Sequence, residues 1–119
     1  MTELVACLST GKGTWAQLYH LIKAEPWDKI ILITNPFGME KFDNSIANVE
    51  FVLINSEKDL QELTEDIRSN LASRIKGLEV AVNIVSGSGK EHMALLAALL
   101  KIGVGMRFIS ANATGSQEL

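Results

Sequence analysis

Leu4-Val5-Ala6-Cys7-Leu8-Ser9-Thr10-Gly11-Lys12-Gly13-Thr14 is the stretch that decides the fold. Its continuous apolar run reads as a strand buried on both faces, as in a parallel sheet covered by helices. The glycines end the strand, and Thr14 then stands where a helix cap belongs. Trp15, Leu18, Tyr19 and Ile22 follow at i, i+3, i+4 and i+7, one stripe of a helix that Pro26 stops.

Working outward, Lys29-Ile30-Ile31-Leu32-Ile33-Thr34 reads as a second strand closed by the turn signal Asn35-Pro36, and Glu50-Phe51-Val52-Leu53-Ile54-Asn55 as a third. Residues 37–49 between them suit either a short helix or a mobile loop, and Glu40, Lys41 and Asp43 there could form a lid or a solvated turn. Ser56 with Asp59 three residues later predicts a capping box. The helix beyond it carries Leu60, Leu63, Ile67, Leu71 and Ile75 on one stripe and ends by Gly77. Val80-Ala81-Val82-Asn83-Ile84-Val85 is a fourth strand, followed by the loop Ser86-Gly87-Ser88-Gly89-Lys90-Glu91 and an apolar helix over about 92–101 that Gly103 stops. Residues 106–109 predict a fifth, edge strand, and the polar tail from Ser110 is expected to be loosely ordered.

Strands alternating with helices give an α/β class, a Rossmann-like three-layer domain with a mainly parallel five-stranded sheet of order 3-2-1-4-5. Residues 1–110 form that single domain and 111–119 a polar C-terminal tail. In this order the winding reverses between strands one and four, and ligands bind beyond the carboxyl ends at such a switch point. The two glycine-rich loops, 9–14 and 86–91, both fall there.

Composition narrows the function. The chain has 119 residues, 47% hydrophobic and 21% charged, with a formal charge of −3. That balance suits one globular core and argues against a duplex nucleic-acid binder, which would present a basic face. A single cysteine excludes an internal disulfide framework, and Cys7 reads as a buried strand residue. No signal peptide precedes the first strand, and no apolar run nears the roughly 20 residues a bilayer span requires. A cytoplasmic protein without membrane attachment is expected.

The loops supply the chemistry. Glycine lets backbone amides approach a ligand closely, and each loop runs into a helix N-terminus, where free N–H groups and the helix dipole favour an anion. Ser9, Thr10, Ser86 and Ser88 add hydroxyls, while Lys12 and Lys90 add charge. The ligand-binding set is therefore Ser9, Thr10, Gly11, Lys12, Gly13, Thr14, Ser86, Gly87, Ser88, Gly89, Lys90, His92 and Met93. The competing reading makes the glycines plain turns, the lysines solvated and His92 an exposed residue. His20 lies off the core stripe and reads as a surface residue.

Neither loop is a Walker A motif, since Ile84 and Ala6 stand where its first glycine belongs and Glu91 and Gly13 where its hydroxyl belongs. Gly11, Gly13 and Ala16 fit a lenient dinucleotide fingerprint, but Ile33-Thr34-Asn35 lacks the acidic residue that would meet a ribose. No His, Cys and carboxylate set has metal spacing, so neither metal nor cofactor is expected. Met93-Ala94-Leu95-Leu96-Ala97-Ala98-Leu99-Leu100 is apolar all round, and its second face calls for a partner, most simply a second copy about a two-fold axis.

At residues 4–14 and 82–94 the chain resembles the CRISPR-associated Rossmann-fold (CARF) domains. In that family the fourth strand ends in a Gly-Gly-Thr-Lys-like turn, and the next helix has a methionine near its start. Ser88-Gly89 here replaces the usual Gly-Thr pair. The resemblance implies a homodimer that binds a cyclic oligoadenylate second messenger across its two-fold axis. With no fused effector in the chain, it implies a stand-alone sensor, sink or ring-cleaving version. For metal-independent cleavage, a ribose 2′-hydroxyl would attack the adjacent phosphate in line. Lys90 and Lys12 would then stabilise the developing charge while Ser9 and Ser86 hold phosphate oxygens, making Lys90, Ser9 and Lys12 the candidate catalytic residues. The alternatives are a non-catalytic module for another nucleotide or phosphorylated metabolite, and a structural or interaction subunit.

Overall fold

The computed structural model describes residues 2–8, 14–43 and 45–119. β1 (Glu3–Leu8) is buried at every position, Leu4 to Leu8 as an apolar run and Glu3 with its carboxylate accepting from the Lys76 and Gly77 amides. It pairs in parallel with β2 (Lys29–Thr34) on one side and β4 (Glu79–Asn83) on the other. β3 (Val49–Leu53) adds in parallel outside β2, and β5 (Gly105–Asn112) outside β4. The sheet order is β3-β2-β1-β4-β5-β6, so the Rossmann-like α/β arrangement and its reversal of winding at β1 are present.

The last strand corrects two expectations. Residues from Ser110 onward are not a loose tail: β5 runs on to Asn112, and β6 (Gly115–Glu118) returns antiparallel against it. β5 is therefore an inner strand and not the edge. The polar composition of 113–118 concealed this strand because a hairpin arm draws on backbone pairing and needs little apolar content. Glu118 also meets the Arg107 guanidinium at 3.0 Å, and Leu119 donates its amide to Phe108 at 2.8 Å.

Two cores flank the sheet. On one face, α1 (Trp15–Ala24) packs Leu18, Leu21 and Ile22 against Leu4, Ala6, Leu8, Ile30 and Leu32. On the other, α3 (Leu60–Ala72) and α4 (Gly89–Ile102) cover Val5, Cys7, Ile31, Ile33, Val80 and Val82. Alternate residues of each strand feed opposite cores, the period-two logic of a sheet buried on both sides. Each fully buried leucine or isoleucine is worth about 1.5–3 kcal/mol of transfer free energy.

The intervening stretch resolves into α2 (Pro36–Lys41), with Asn35 capping the Gly38 amide at 2.8 Å. Asp59 caps α3, its carboxylate accepting from the Glu62 amide at 2.8 Å, so the expected Ser56–Asp59 box is not formed. It also ends earlier than expected, at Ala72, with Ser73 as its cap and Ile75 packed on the core as coil. Thr14 precedes α1 without a side-chain cap bond. Among the described residues, no helix is long and apolar enough to cross a membrane.

Candidate functional site

At the carboxyl end of the sheet, β1 and β4 separate after the Ala6–Asn83 register pair. Asn83 extends the ladder with its side chain: Nδ2 donates to the Ile109 carbonyl at 2.8 Å, and Oδ1 accepts from the Val85 amide. Thr34 performs the matching task between β1 and β2, its hydroxyl donating to the Leu8 carbonyl at 2.6 Å. The glycine Gly38 allows α2 to seat on that hydroxyl, since a Cβ there would lie 1.9 Å from Thr34 Oγ1. Buried polar side chains thus satisfy the backbone where the strands run out.

The loop after β4 folds back over the end of β1. Gly87 takes φ of 106°, and a Cβ on it would meet Cys7 Cβ and His92 Nε2, each at 3.0 Å, and Glu91 Oε1 at 3.1 Å. Only glycine fits both that backbone and that space. Ser86 is buried beneath, and its carbonyl lies 2.8 Å from His92 Nε2.

A capping box then opens α4. Ser88 Oγ accepts from the Glu91 amide at 3.1 Å, and Glu91 Oε1 accepts from the Ser88 amide at 2.8 Å. The second oxygen of Glu91 accepts from the Ser56 hydroxyl at 2.6 Å, which ties the β3–α3 connection to the start of α4. Glu91 is only 7% exposed, so its carboxylate sits within the helix N-terminus and already answers part of the dipole. Together with burial, its charge holds the Cys7 thiol up at about 12, burial being the larger cause.

The geometry sorts the second-loop candidates. Ser88, Gly89 and Lys90 are exposed, as is Met93 at 60%; Gly87 and His92 are half-buried, and Ser86 faces the interior. The Ser88 amide and the Glu91 amide are taken by the capping box, which leaves the amides of Gly89 and Lys90 at the mouth of the helix. Lys90 Nζ donates to the Ser56 carbonyl at 2.8 Å, so its charge leans toward the β3 side. Of the first loop, Thr14 lies at the start of α1, whereas Ser9, Thr10, Gly11, Lys12 and Gly13 lie outside the described residues. His20 is exposed, with Nε2 3.1 Å from the Asn112 carbonyl.

Glu91 and Ser56 were missed as parts of this site, although Ser88-x-x-Glu91 is legible as a capping-box spacing. Ser56 carries no such signal, because its partner is 35 residues away. Among the described residues, no three His, Cys, Asp or Glu side chains gather as metal ligands.

α4 presents its apolar residues unequally. Ala94, Leu95, Ala98 and Leu99 are buried against the sheet and α3. Met93 and Leu100 stand out at 60% and 69% exposed, with Leu96 and Ala97 half-buried between them and Val85 exposed just ahead of the helix. These four helix residues share the i, i+3, i+4, i+7 spacing of one face. A scan against protein-family models finds no match to this chain, and no curated protein proves similar to it.

Proposed function

We propose that the protein binds a phosphate-containing nucleotide ligand at the carboxyl end of the sheet, and that the ligand class is a cyclic oligoadenylate. The observation that carries this reading is the mouth of α4, where the exposed residues Gly89 and Lys90 carry the first-turn amides that the capping box does not use, beside the Lys90 side chain. It stands at the switch point of the sheet, where α/β folds take ligands. Because Glu91 fills the inner part of the helix N-terminus, the phosphate is held at the outer amides, with Lys90 swinging from the Ser56 carbonyl to meet it. The resemblance to CARF domains supplies the ligand class and a homodimeric arrangement. The exposed α4 face supports the latter: Met93 lies one turn from Lys90, so pairing along this face would bring two ligand mouths together.

Binding is the primary activity in this reading. Ring cleavage would draw on Lys90, with Ser9 and Lys12 from the first loop, to stabilise charge as a ribose 2′-hydroxyl attacks. A thermal-shift screen against cyclic oligoadenylates, linear oligoadenylates and mononucleotides tests the proposal. One cyclic species at a hundredfold excess over its Kd should stabilise the fold by about 2.7 kcal/mol, and Lys90→Ala should erase the shift. No shift with any of these ligands would overturn it and favour an interaction subunit that uses the α4 face.

A further inference from the structure

A second feature lies on the α1 face of the sheet, away from the mouth of α4. Trp15 and Tyr19 of α1 and Phe42 after α2 wall a groove of about 440 Å³, within the size range of small-molecule sites. The chain's one tyrosine, one of its two tryptophans and two of its four phenylalanines gather here. Trp15 stands 5.9 Å from both Phe37 and Phe42, and Tyr19 stands 6.5 Å from Phe42, all tilted or edge-on. Phe42, 5% exposed, forms the floor of the groove, while Tyr19, 36% exposed, and the half-buried Trp15 offer it ring surface.

Three charged side chains, Lys23, Lys41 and Asp43, line the same groove together with His20, and Lys41 also faces Glu40 at 3.7 Å. Lys23 places Nζ 5.4 Å from the centre of the Tyr19 ring. Asp43 is anchored by Ser45, whose hydroxyl and amide both donate to Oδ1, at 2.6 and 2.9 Å. These bonds hold its carboxyl below the usual range, with Tyr19 and Lys23 adding to the effect. The groove therefore offers aromatic walls, one carboxylate acceptor and two ammonium donors. An aliphatic guest would leave all of these charges unanswered, and a simple anion would answer the lysines but face Asp43. A planar heterocycle with N–H donors and ring-nitrogen acceptors on its edge answers the aromatic walls, the carboxylate and a lysine together.

We infer that this groove is a nucleobase site, in which the ring packs among Trp15, Tyr19 and Phe42 while its polar edge meets Asp43 and Lys23. It uses no residue of the proposed phosphate site, so either can fail without the other.

The test is a titration of the ¹⁵N-labelled protein with adenosine, which carries no phosphate. The two indole N–H signals provide probe and control. Trp15 lines the groove, whereas Trp27 is 6% exposed and donates its indole N–H to the Leu21 carbonyl at 3.2 Å. The Trp15 signal should move in a saturable way and the Trp27 signal should stay. Tyr19→Ala should weaken the response about tenfold, in line with the loss of one stacking partner, with an unchanged Trp27 signal certifying the fold. Purine riboside, which lacks the amino donor, should bind several-fold more weakly than adenosine, and Asp43→Ala, which removes the acceptor, should abolish that preference. A Trp15 signal that stays still at millimolar adenosine, or a response indifferent to Tyr19→Ala, would overturn the inference.

Discussion

Gly87 and Gly103 both have positive φ, 106° and 85°, yet they answer to different constraints. At Gly103, the cap of α4, a Cβ would meet nothing within 4 Å, so Gly103→Ala should lose only the backbone term of about 1–2 kcal/mol. At Gly87 the same strain is joined by contacts at 3.0 Å with Cys7 and His92, and overpacking adds about 1–3 kcal/mol. Urea unfolding of the two variants should rank Gly87→Ala clearly below Gly103→Ala, and equal losses would refute the packing argument. The sequence marked both glycines as turn residues. Gly103 as a helix stop was readable from its place after the last apolar repeat, but the reason for Gly87 lies in Cys7, eighty positions earlier. Ser88, Gly89 and Lys90 were likewise legible as an exposed loop entering a helix, whereas the burial of Ser86 followed from the fold of that loop over β1.

Strands and helices of strong pattern were readable element by element. β1, β2 and β4 announce themselves as unbroken apolar runs, and α4 ends at its glycine as its composition requires. α3 shows the limit: its apolar stripe continues to Ile75, but the helix stops at Ala72 because Ile75 reaches the same core from coil. β6 shows another, for a four-residue strand of Gly, Ser, Gln and Glu has no apolar signature and exists through its pairing with β5. At this scale the proposed dimer makes its own prediction. Leu100 is 69% exposed on the outer face of α4, so Leu100→Glu should leave the fold intact and convert a dimer into a monomer by light scattering after gel filtration. A wild-type protein that is monomeric at micromolar concentration would remove the dimer from the functional reading.

For the whole molecule, Cys7 reports the integrity of the centre of the sheet. Its thiol is pushed up to about 12 from an ordinary value of 9.0, so the folded protein keeps a proton that the unfolded chain releases first. Between those two values the folded state binds more protons, and stability falls as pH rises; below pH 9 the group contributes no pH dependence. Denaturant midpoints should therefore decline from about pH 9 upward in the wild type and less so in Cys7→Ala, compared after allowing for the cavity that variant leaves. Alkylation of Cys7 at pH 8 should proceed only as fast as the chain opens. A rapid alkylation of the native protein would contradict the burial on which both expectations stand. By itself the sequence determined the α/β class, the parallel order around β1 and the two glycine-rich loops, because apolar runs, helical periodicity and glycine turns are local signals. Only the tertiary structure decided that β5 is an inner strand, that Ser56 bonds Glu91 at the α4 N-terminus, and that aromatic residues from α1 and the α2 connection share one groove. The hairpin forms by backbone pairing without an apolar signature, and the Ser56 and aromatic contacts join residues far apart in the chain, so no local apolar pattern encodes them.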